Sequence, residues 1–477
     1  MAVFYWGASI VEKQQESITS WVSTEVGYPI EIADIKLSWV DISPQLEFKT
    51  IKVMAKDNSA ELLSLEKLYL DPNVLSSIWF SNFMLDEVTV IGLNLTVARD
   101  SNGDFYMQGL KQNSDSTTLF SDIIKHANNL NSFNLKAVTV NYNDQQQANI
   151  SGRYQIENAT LKHSGTSWHA DGQVFLPISS GDNIEFSTNW RLNQQNMNLM
   201  EWEGKIKTNK VFISPLSDYL NWKNITVEKG LINSTIAIEG VGLEVREAKL
   251  DIELSQAMLA SKEMGNILIP VDVEYFSGDF HWIEQEESRS WILSGNDINL
   301  SIKGEAWPET TLLVNKKPEK VMIKSDFFRI ENLIDVAALS GRLPEQVLLQ
   351  SLAGDIEKLE VIYLVESGLK DVSLIIKKGQ VATWSDYPGI TNLDARINFS
   401  EQVARVKIAS EKVMVHPANK LDDWMFFDTV TGELEFEKKD KVWRVRGDEL
   451  KVKNDELTLE FNGSIEKNIA GEIINDI

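Results

Sequence analysis

Apolar and polar residues alternate one by one over long stretches of this chain. That period of two is the mark of a β-strand with one apolar face and one wet face. Ile35, Leu37 and Trp39 are separated by Lys36 and Ser38. Leu93, Leu95 and Val97 are separated by Asn94 and Thr96, and Leu250, Ile252 and Leu254 by Asp251 and Glu253. Leu393, Ala395, Ile397 and Phe399 continue the pattern, as do Leu457, Leu459 and Phe461. Strands buried on both faces would read as unbroken apolar runs, and Val361 to Val365 is the nearest approach to one. Ser101-Asn102-Gly103-Asp104 and Ser180-Gly181-Asp182-Asn183 punctuate the strands as turns do in antiparallel meanders. The parity changes at Gly92, as at a bulge. The expected fold is mostly β: a long, twisted antiparallel sheet.

Helical period is confined to a few places. Ile18, Trp21, Val22 and Val26 share one face of a helix predicted over residues 8–26, which Gly27 and Pro29 stop. Shorter helices are expected over Asp71–Met84, Leu119–Leu130 and Pro215–Trp222, and a helical hairpin over residues 330–352, broken at Gly341-Arg342-Leu343-Pro344. At 477 residues the chain is too long for one compact core, yet no Pro-rich or low-complexity linker divides it. The resulting organisation is a helical start at 1–26, sheet over 27–112, further sheet over 113–329 carrying the helix at 119–130, the helical pair at 330–352, and sheet again over 353–477.

Charge and motif content exclude several classes of function. There are 46 Lys and Arg against 70 Asp and Glu, a formal −24. That field repels a phosphate backbone and opposes docking on anionic lipid, so no nucleic-acid partner is expected. Cysteine is absent, which removes disulfides, thiol nucleophiles and thiolate metal sites. The chain holds no Gly-x-Ser-x-Gly elbow, no dinucleotide or phosphate-binding glycine loop and no His-Glu-x-x-His. His163 and His169 lie six apart, with Gly165 between them marking a turn, and surface histidines are the ordinary reading. Acid pairs such as Asp422-Asp423 and Glu286-Glu287 are adjacent, whereas glycosidase work needs carboxylates converging across a cleft. The chain is therefore read as no enzyme, with no cofactor and no metal. Several of its 14 tryptophans stand in polar surroundings, among them Trp39, Trp168, Trp190, Trp202, Trp282, Trp307, Trp384 and Trp443. They either pack at sheet edges or form an amphipathic rim that touches lipid.

The stretch Glu16 to Val53 holds a helix, then Gly27-x-Pro29-Ile30-x-Ile32, a Trp39 strand, and Pro44-x-Leu46-x-Phe48-x-x-Ile51-x-Val53. It continues through Leu65-Glu66-Lys67-Leu68 to Val88–Gly109, where Arg99-Asp100-Ser101 precedes Gly103-Asp104-Phe105. A second stretch runs from Leu369 to Ser464, with Trp384-Ser385-Asp386-Tyr387-Pro388-Gly389-Ile390 and a Thr431-Gly432-Glu433-Leu434 turn and strand. This succession resembles the start of the YhdP-type members of the AsmA-like superfamily. The resemblance implies an N-terminal anchor in the inner membrane of a Gram-negative bacterium and an elongated, taco-like β-groove through the periplasm. It also implies phospholipid movement towards the outer membrane, similar in principle to bridge-like lipid transfer proteins. MAVFYWGASI at the start is either the exit end of such an anchor or an ordinary apolar helix start. The last residues carry no closing helix, so the chain is expected to be part of a longer one.

In a groove of that kind the alternating apolar positions line the inside. Those expected to do so are Ile35, Leu37, Leu93, Leu95, Val97, Leu250, Ile252, Leu254, Leu393, Ile397, Phe399, Leu457, Leu459 and Phe461. For each the competing reading is the core of a closed sandwich. About 30 strands at ~4.8 Å spacing would give a ladder on the order of 140 Å. The expected partners are phospholipid acyl chains, the inner membrane and other envelope proteins. Two other functions compete with lipid transport: a periplasmic scaffold or outer-membrane assembly protein built of closed sandwiches, and a carbohydrate-binding or carbohydrate-cleaving β-protein.

Overall fold

The computed structural model of the chain describes residues 15–40, 43–55, 57, 60–73, 85–107, 130–191, 200–217, 225–261, 270–285, 289–339, 351–383, 388–400, 402–417, 424–439, 442–468 and 473–476. These form a mostly antiparallel sheet of 26 strands and two α-helices. The chain divides into two compact units, one of Met1–Leu216 with Ile232–Arg246, the other of Ser217–Leu231 with Glu247–Ile477.

The first unit begins with helix α1 (Gln15–Val26). Strands β1 (Ile30–Val40), β2 (Ser43–Met54), β3 (Glu61–Pro72), β4 (Leu85–Ile91), β5 (Asn94–Arg99) and β6 (Phe105–Met107) follow. Then come β7 (Ser132–Asp144), β8 (Gly152–Ser164), β9 (Ser167–Phe175), β10 (Gly181–Arg191) and β11 (Glu201–Phe212). The hairpin end of β12 (Ile225–Val241) and β13 (Glu244–Ser261) also belongs to this unit. Gly27 ends α1 in the left-handed conformation (φ 76°), its N–H bonding the carbonyl of Ser23. Ile18 on α1 packs on a buried cluster of Ile32, Ile35, Phe48 and Ile51.

Two departures from a simple meander occur here. β4 and β5 pair antiparallel with β3 but parallel with β7. A parallel pair needs a long crossover, and residues 100–131 supply it. Gly92 separates β4 from β5 at φ 68°, as its parity change predicts. Asp71 and Pro72, expected to open a helix, instead finish β3 opposite Glu87 and Leu85. Proline is tolerated at a strand end, where its missing N–H matters little.

In the second unit β13 is followed by β14 (Val271–Glu284), β15 (Trp291–Ile302), β16 (Glu305–Ala306), β17 (Thr310–Lys316) and β18 (Lys320–Arg329). Helix α2 (Ile330–Leu339) comes next. Then follow β19 (Ala353–Leu364), β20 (Gly368–Val381), β21 (Gly389–Ser400), β22 (Val403–His416), β23 (Met425–Lys439), β24 (Val442–Lys453), β25 (Thr458–Asn468) and β26 (Ile473–Asp476). From β17 onward each strand pairs antiparallel with the next. α2 covers one corner of this unit. Leu339 is buried with Ala257, Val271, Val273 and Ile302, and Val336 packs against them. The buried Asn332 accepts the Trp307 indole N–H at 2.8 Å, and Asp335 pairs with Lys303 at 2.6 Å.

Thr431-Gly432-Glu433, read as a turn, lies inside β23. Gly432 is there because a Cβ would meet the Leu450 Cα of the neighbouring strand at 2.6 Å. Of the other expected helices, residues 74–84, 119–129, 218–224 and 340–350 lie outside the described residues, as do residues 1–14. No helix among the described residues is long and apolar enough to cross a membrane.

Candidate functional site

Residues directly paired across neighbouring strands share a face, so the register decides what each face is made of. In the second unit one row runs Ala248, Trp282, Leu293, Val314, Ile323, Val361, Val372, Phe399, Ala404, Phe436, Val445 and Ile465. It crosses β13, β14, β15 and every strand from β17 to β25, and each member is apolar. The row one residue over runs Lys249, His281, Ser294, Leu313, Lys324, Glu360, Ser373, Asn398, Arg405, Glu435, Arg446 and Ser464. Only Leu313 in it is apolar. Cross-strand bonds lace this wet face: Lys324 to Glu360 at 2.7 Å, Ser373 to Asn398 at 2.9 Å and Arg405 to Glu435 at 2.8 Å.

The first unit repeats the arrangement. Ile35, Phe48, Leu68, Val90, Leu135, Ala159, Gly172, Phe186 and Ile206 form one row. Lys36, Glu47, Tyr69, Thr89, Asn134, Thr160, Asp171, Ser187 and Lys205 form its polar neighbour.

The apolar row of the second unit is not sealed, whereas Ile35, Phe48 and Val90 in that of the first are buried. In the second unit every member but one is half-buried, and Ile465 is 40% exposed. A closed sandwich would bury them. The chain exposes 30258 Å² in all. Two separately compact proteins of half its 54.0 kDa would together expose roughly 22,000 Å².

The face is kept apolar by breaks in the alternation. Thr50, Ala137, Gln256, Lys358, Lys378 and Lys412 adopt the left-handed conformation, with φ between 48° and 54°. At the first four the apolar spacing steps by three instead of two, as from Phe48 to Ile51, Leu254 to Ala257 and Ile356 to Leu359, and at Lys378 and Lys412 the inward spacing does the same with Gly379 or Ser410 as one member. In β20 and β21 the pairing register shifts at such a place. Extra residues of this kind sharpen the right-handed twist of a strand.

The expected lining residues can now be placed. Ile35 is buried in the cluster beneath α1, while Leu37 stands opposite Leu46 and is half-buried. Leu93 lies between β4 and β5, and its carbonyl accepts the Thr139 N–H. Leu95 faces Leu63 and Val140, and Val97 faces Tyr142 and Met107. Leu250, Ile252 and Leu254 pair with Phe280, Gly278 and Phe276, on the face of the long apolar row. Leu393, Ile397 and Phe399 pair with Gly379, Leu374 and Val372 on that same face. Leu459 and Phe461 join it opposite Val452 and Leu450, exposed by 53% and 43%. Leu457 lies in the turn before β25.

The structure brings Leu250–Leu254, Leu393–Phe399 and Leu459–Phe461 onto one face of the second unit. Leu37, Leu95 and Val97 belong to the first unit. Sequence reasoning gave Trp282 an edge or rim role and left Ile323, Val372 and Phe436 out of the lining, although each sits in the same alternation. His163 and His169 fall on opposite faces, because the Gly165 turn pairs His163 with Trp168 and Lys162 with His169. Among the described residues no group of three or more His, Cys, Asp or Glu could hold a metal ion.

The sequence profile of a family described as YhdP protein matches residues 1–472. No curated protein and no solved structure matches the chain.

Proposed function

Because the chain belongs to the YhdP family, we propose that it is a non-enzymatic carrier of phospholipid in the bacterial envelope. Acyl chains travel along its apolar face, and headgroups stay at the polar margin. In this reading the chain stands in the periplasm of a Gram-negative bacterium, is tied to the inner membrane through its N-terminal side, and passes phospholipid towards the outer membrane. Leu95, Val97, Leu250, Ile252, Leu254, Ile397, Phe399, Leu459 and Phe461 contact the acyl chains.

The observation that carries the proposal is the half-buried apolar row over twelve strands, with a polar row one residue away. An apolar face needs a cover, and an acyl chain is one that can also move. Taking a chain into water costs ~0.8 kcal/mol per CH₂, on the order of 10 kcal/mol for a whole tail. Sliding it from one strand to the next, ~4.8 Å away, exchanges one apolar contact for another and avoids most of that cost. No group has to be ionised, attacked or reduced.

Val372 and Ser373 are chain neighbours on opposite faces. Phospholipid co-purifying with the full chain is measured by native mass spectrometry and lipid extraction. Val372→Asp is expected to lower bound lipid several-fold, and Ser373→Asp to leave it unchanged, with both variants folded by circular dichroism. A lipid-free chain blind to added phospholipid, or equal effects of the two changes, would sink the proposal and favour a scaffold.

A further inference from the structure

At one end of the strands of the first unit the apolar face finishes in aromatic side chains. The register places His163, Trp168, Trp190 and Trp202 in a single row across β8 to β11. Trp168 and Trp190 lie almost parallel, 5.8 Å apart with 6° between their planes, and His163 stacks on Trp168 at 4.3 Å. Trp202 is held from the far side. Its indole N–H donates to the Gly242 carbonyl at 3.0 Å, and its ring lies so close over Gly240 that a Cβ there would be 2.6 Å away. Trp168 is only 8% exposed, and its indole N–H finds no acceptor among the described residues. An orphaned buried donor costs free energy unless something fills the role.

These rings line an open cavity of about 740 Å³, within the range of small-molecule sites. Its lining carries charges of both signs, Arg191 and Glu201 at the strand ends and Arg246 and Glu239 on the β12–β13 hairpin, while Lys162 and Glu203 belong to the polar-face row with His169 and Asn189. Arg191 and Glu201 approach only to 3.9 Å and are each about two-thirds exposed. Such a pair contributes little and is easily exchanged for other partners. The row next to the rings consists of Leu161, Ala170, Thr188 and Gly204, of which the last three are small. A Cβ on Gly204 would meet nothing nearer than the Thr188 Oγ1 at 4.0 Å. Space therefore leads from the cavity onto the apolar face.

Resting on the transport reading above, we propose that this cavity is a headgroup station for a zwitterionic phospholipid. The arginines take the phosphate. The ring faces and Glu201 take the ammonium. The tryptophans sit at the boundary between tail and water, and the first methylenes of the acyl chains lie over Ala170 and Gly204. A rim of mixed sign favours this headgroup over one that carries only negative charge.

The test is photolabelling of the purified full chain with a phosphatidylethanolamine carrying a diazirine near the glycerol end of one acyl chain. The matched probe is the phosphatidylglycerol with the same chain, and labelled peptides are mapped by mass spectrometry. The ethanolamine lipid is expected to label residues 161–170 and 186–206 about fivefold more than the glycerol lipid does. Gly204→Leu, which fills the space above the small row, is expected to remove that labelling and to leave labelling around Val361 and Val372 intact. Arg246→Glu, an exposed change remote from any core, is expected to abolish the preference between headgroups. Lipid labelling spread evenly over both units, or equal labelling by the two lipids, overturns the station while leaving transport standing. No labelling anywhere overturns both.

Discussion

Asp144 is 2% exposed and still charged. Burial pushes its carboxyl up, but the Tyr142 hydroxyl, the N–H groups of Gln147 and Gln146 and the Arg99 guanidinium outweigh burial and hold it below the ordinary carboxylate range. The Tyr142 Oη–Asp144 Oδ2 distance is 2.7 Å, and the two backbone bonds are 2.9 and 2.8 Å. A depressed folded-state value means that this stabilisation is complete above the unfolded value near ~3.9. It is lost as pH falls through the folded value. Asp144→Ala is expected to cost about 3 kcal/mol at neutral pH, with a smaller deficit below pH ~3, measured by urea titration across pH. An equal deficit at every pH would place its role in packing alone. Nothing in the local sequence Asn141-Tyr142-Asn143-Asp144 marks this residue as buried. Its partners come from the same turn and from Arg99 on β5, which the parallel pairing of β5 with β7 brings alongside. Ile35 differs, because alternation gives its face directly. What alternation omits is the helix lying over it.

Each strand had to solve one problem: how to keep apolar side chains on one face while accommodating an extra residue. Lys412 shows the solution in β22. It is exposed and left-handed at φ 54°, and it stands between buried Ser410 and buried Val413. A β-branched residue strongly resists that conformation and glycine does not. Lys412→Val is therefore expected to lower stability by about 1–2 kcal/mol although the site is exposed. Lys412→Gly should be neutral or slightly stabilising. Deleting Lys412 restores strict alternation with Val413 and Val415 still on the face of Ser410, but slides them by one residue against their partners on β21 and β23. It is expected to cost far more than either substitution, read as lost hydrogen-exchange protection over β21 to β23. If deletion is as mild as Lys412→Gly, the step is not what sets the register of β22. The sequence shows the step plainly at Gly92, because glycine advertises it. At Gln256 or Lys412 it is hidden, since a polar residue in that position looks like any other outward residue. The parallel crossover into β7 is equally silent, because alternation gives a strand its faces but not its neighbours.

In the second unit, beyond β16, the ladder is sequential: each strand pairs with the one before and the one after. Among the described residues only α2 lays a helix on that sheet, at the corner of Ala257 and Val273. Stability in such a ladder is close to a sum of nearest-neighbour terms, as in repeat proteins. That follows from an open face, since a shared core is what makes distant strands unfold together. Ile397 stands between Leu374 and Val406, half-buried in β21. Ile397→Ala is expected to cost about 2 kcal/mol. Hydrogen exchange should show the cost confined to β20, β21 and β22, with β14 and β15 keeping their protection. Loss of protection over the whole unit would instead reveal a shared core and a closed interior. The same measurement with phospholipid present separates the two covers available to the face. If acyl chains lie on the apolar row, added lipid should raise protection along β14 to β24 and partly rescue the variant, because a ligand bound to the folded state stabilises it by mass action. A sandwich sealed by its own side chains would show no such gain.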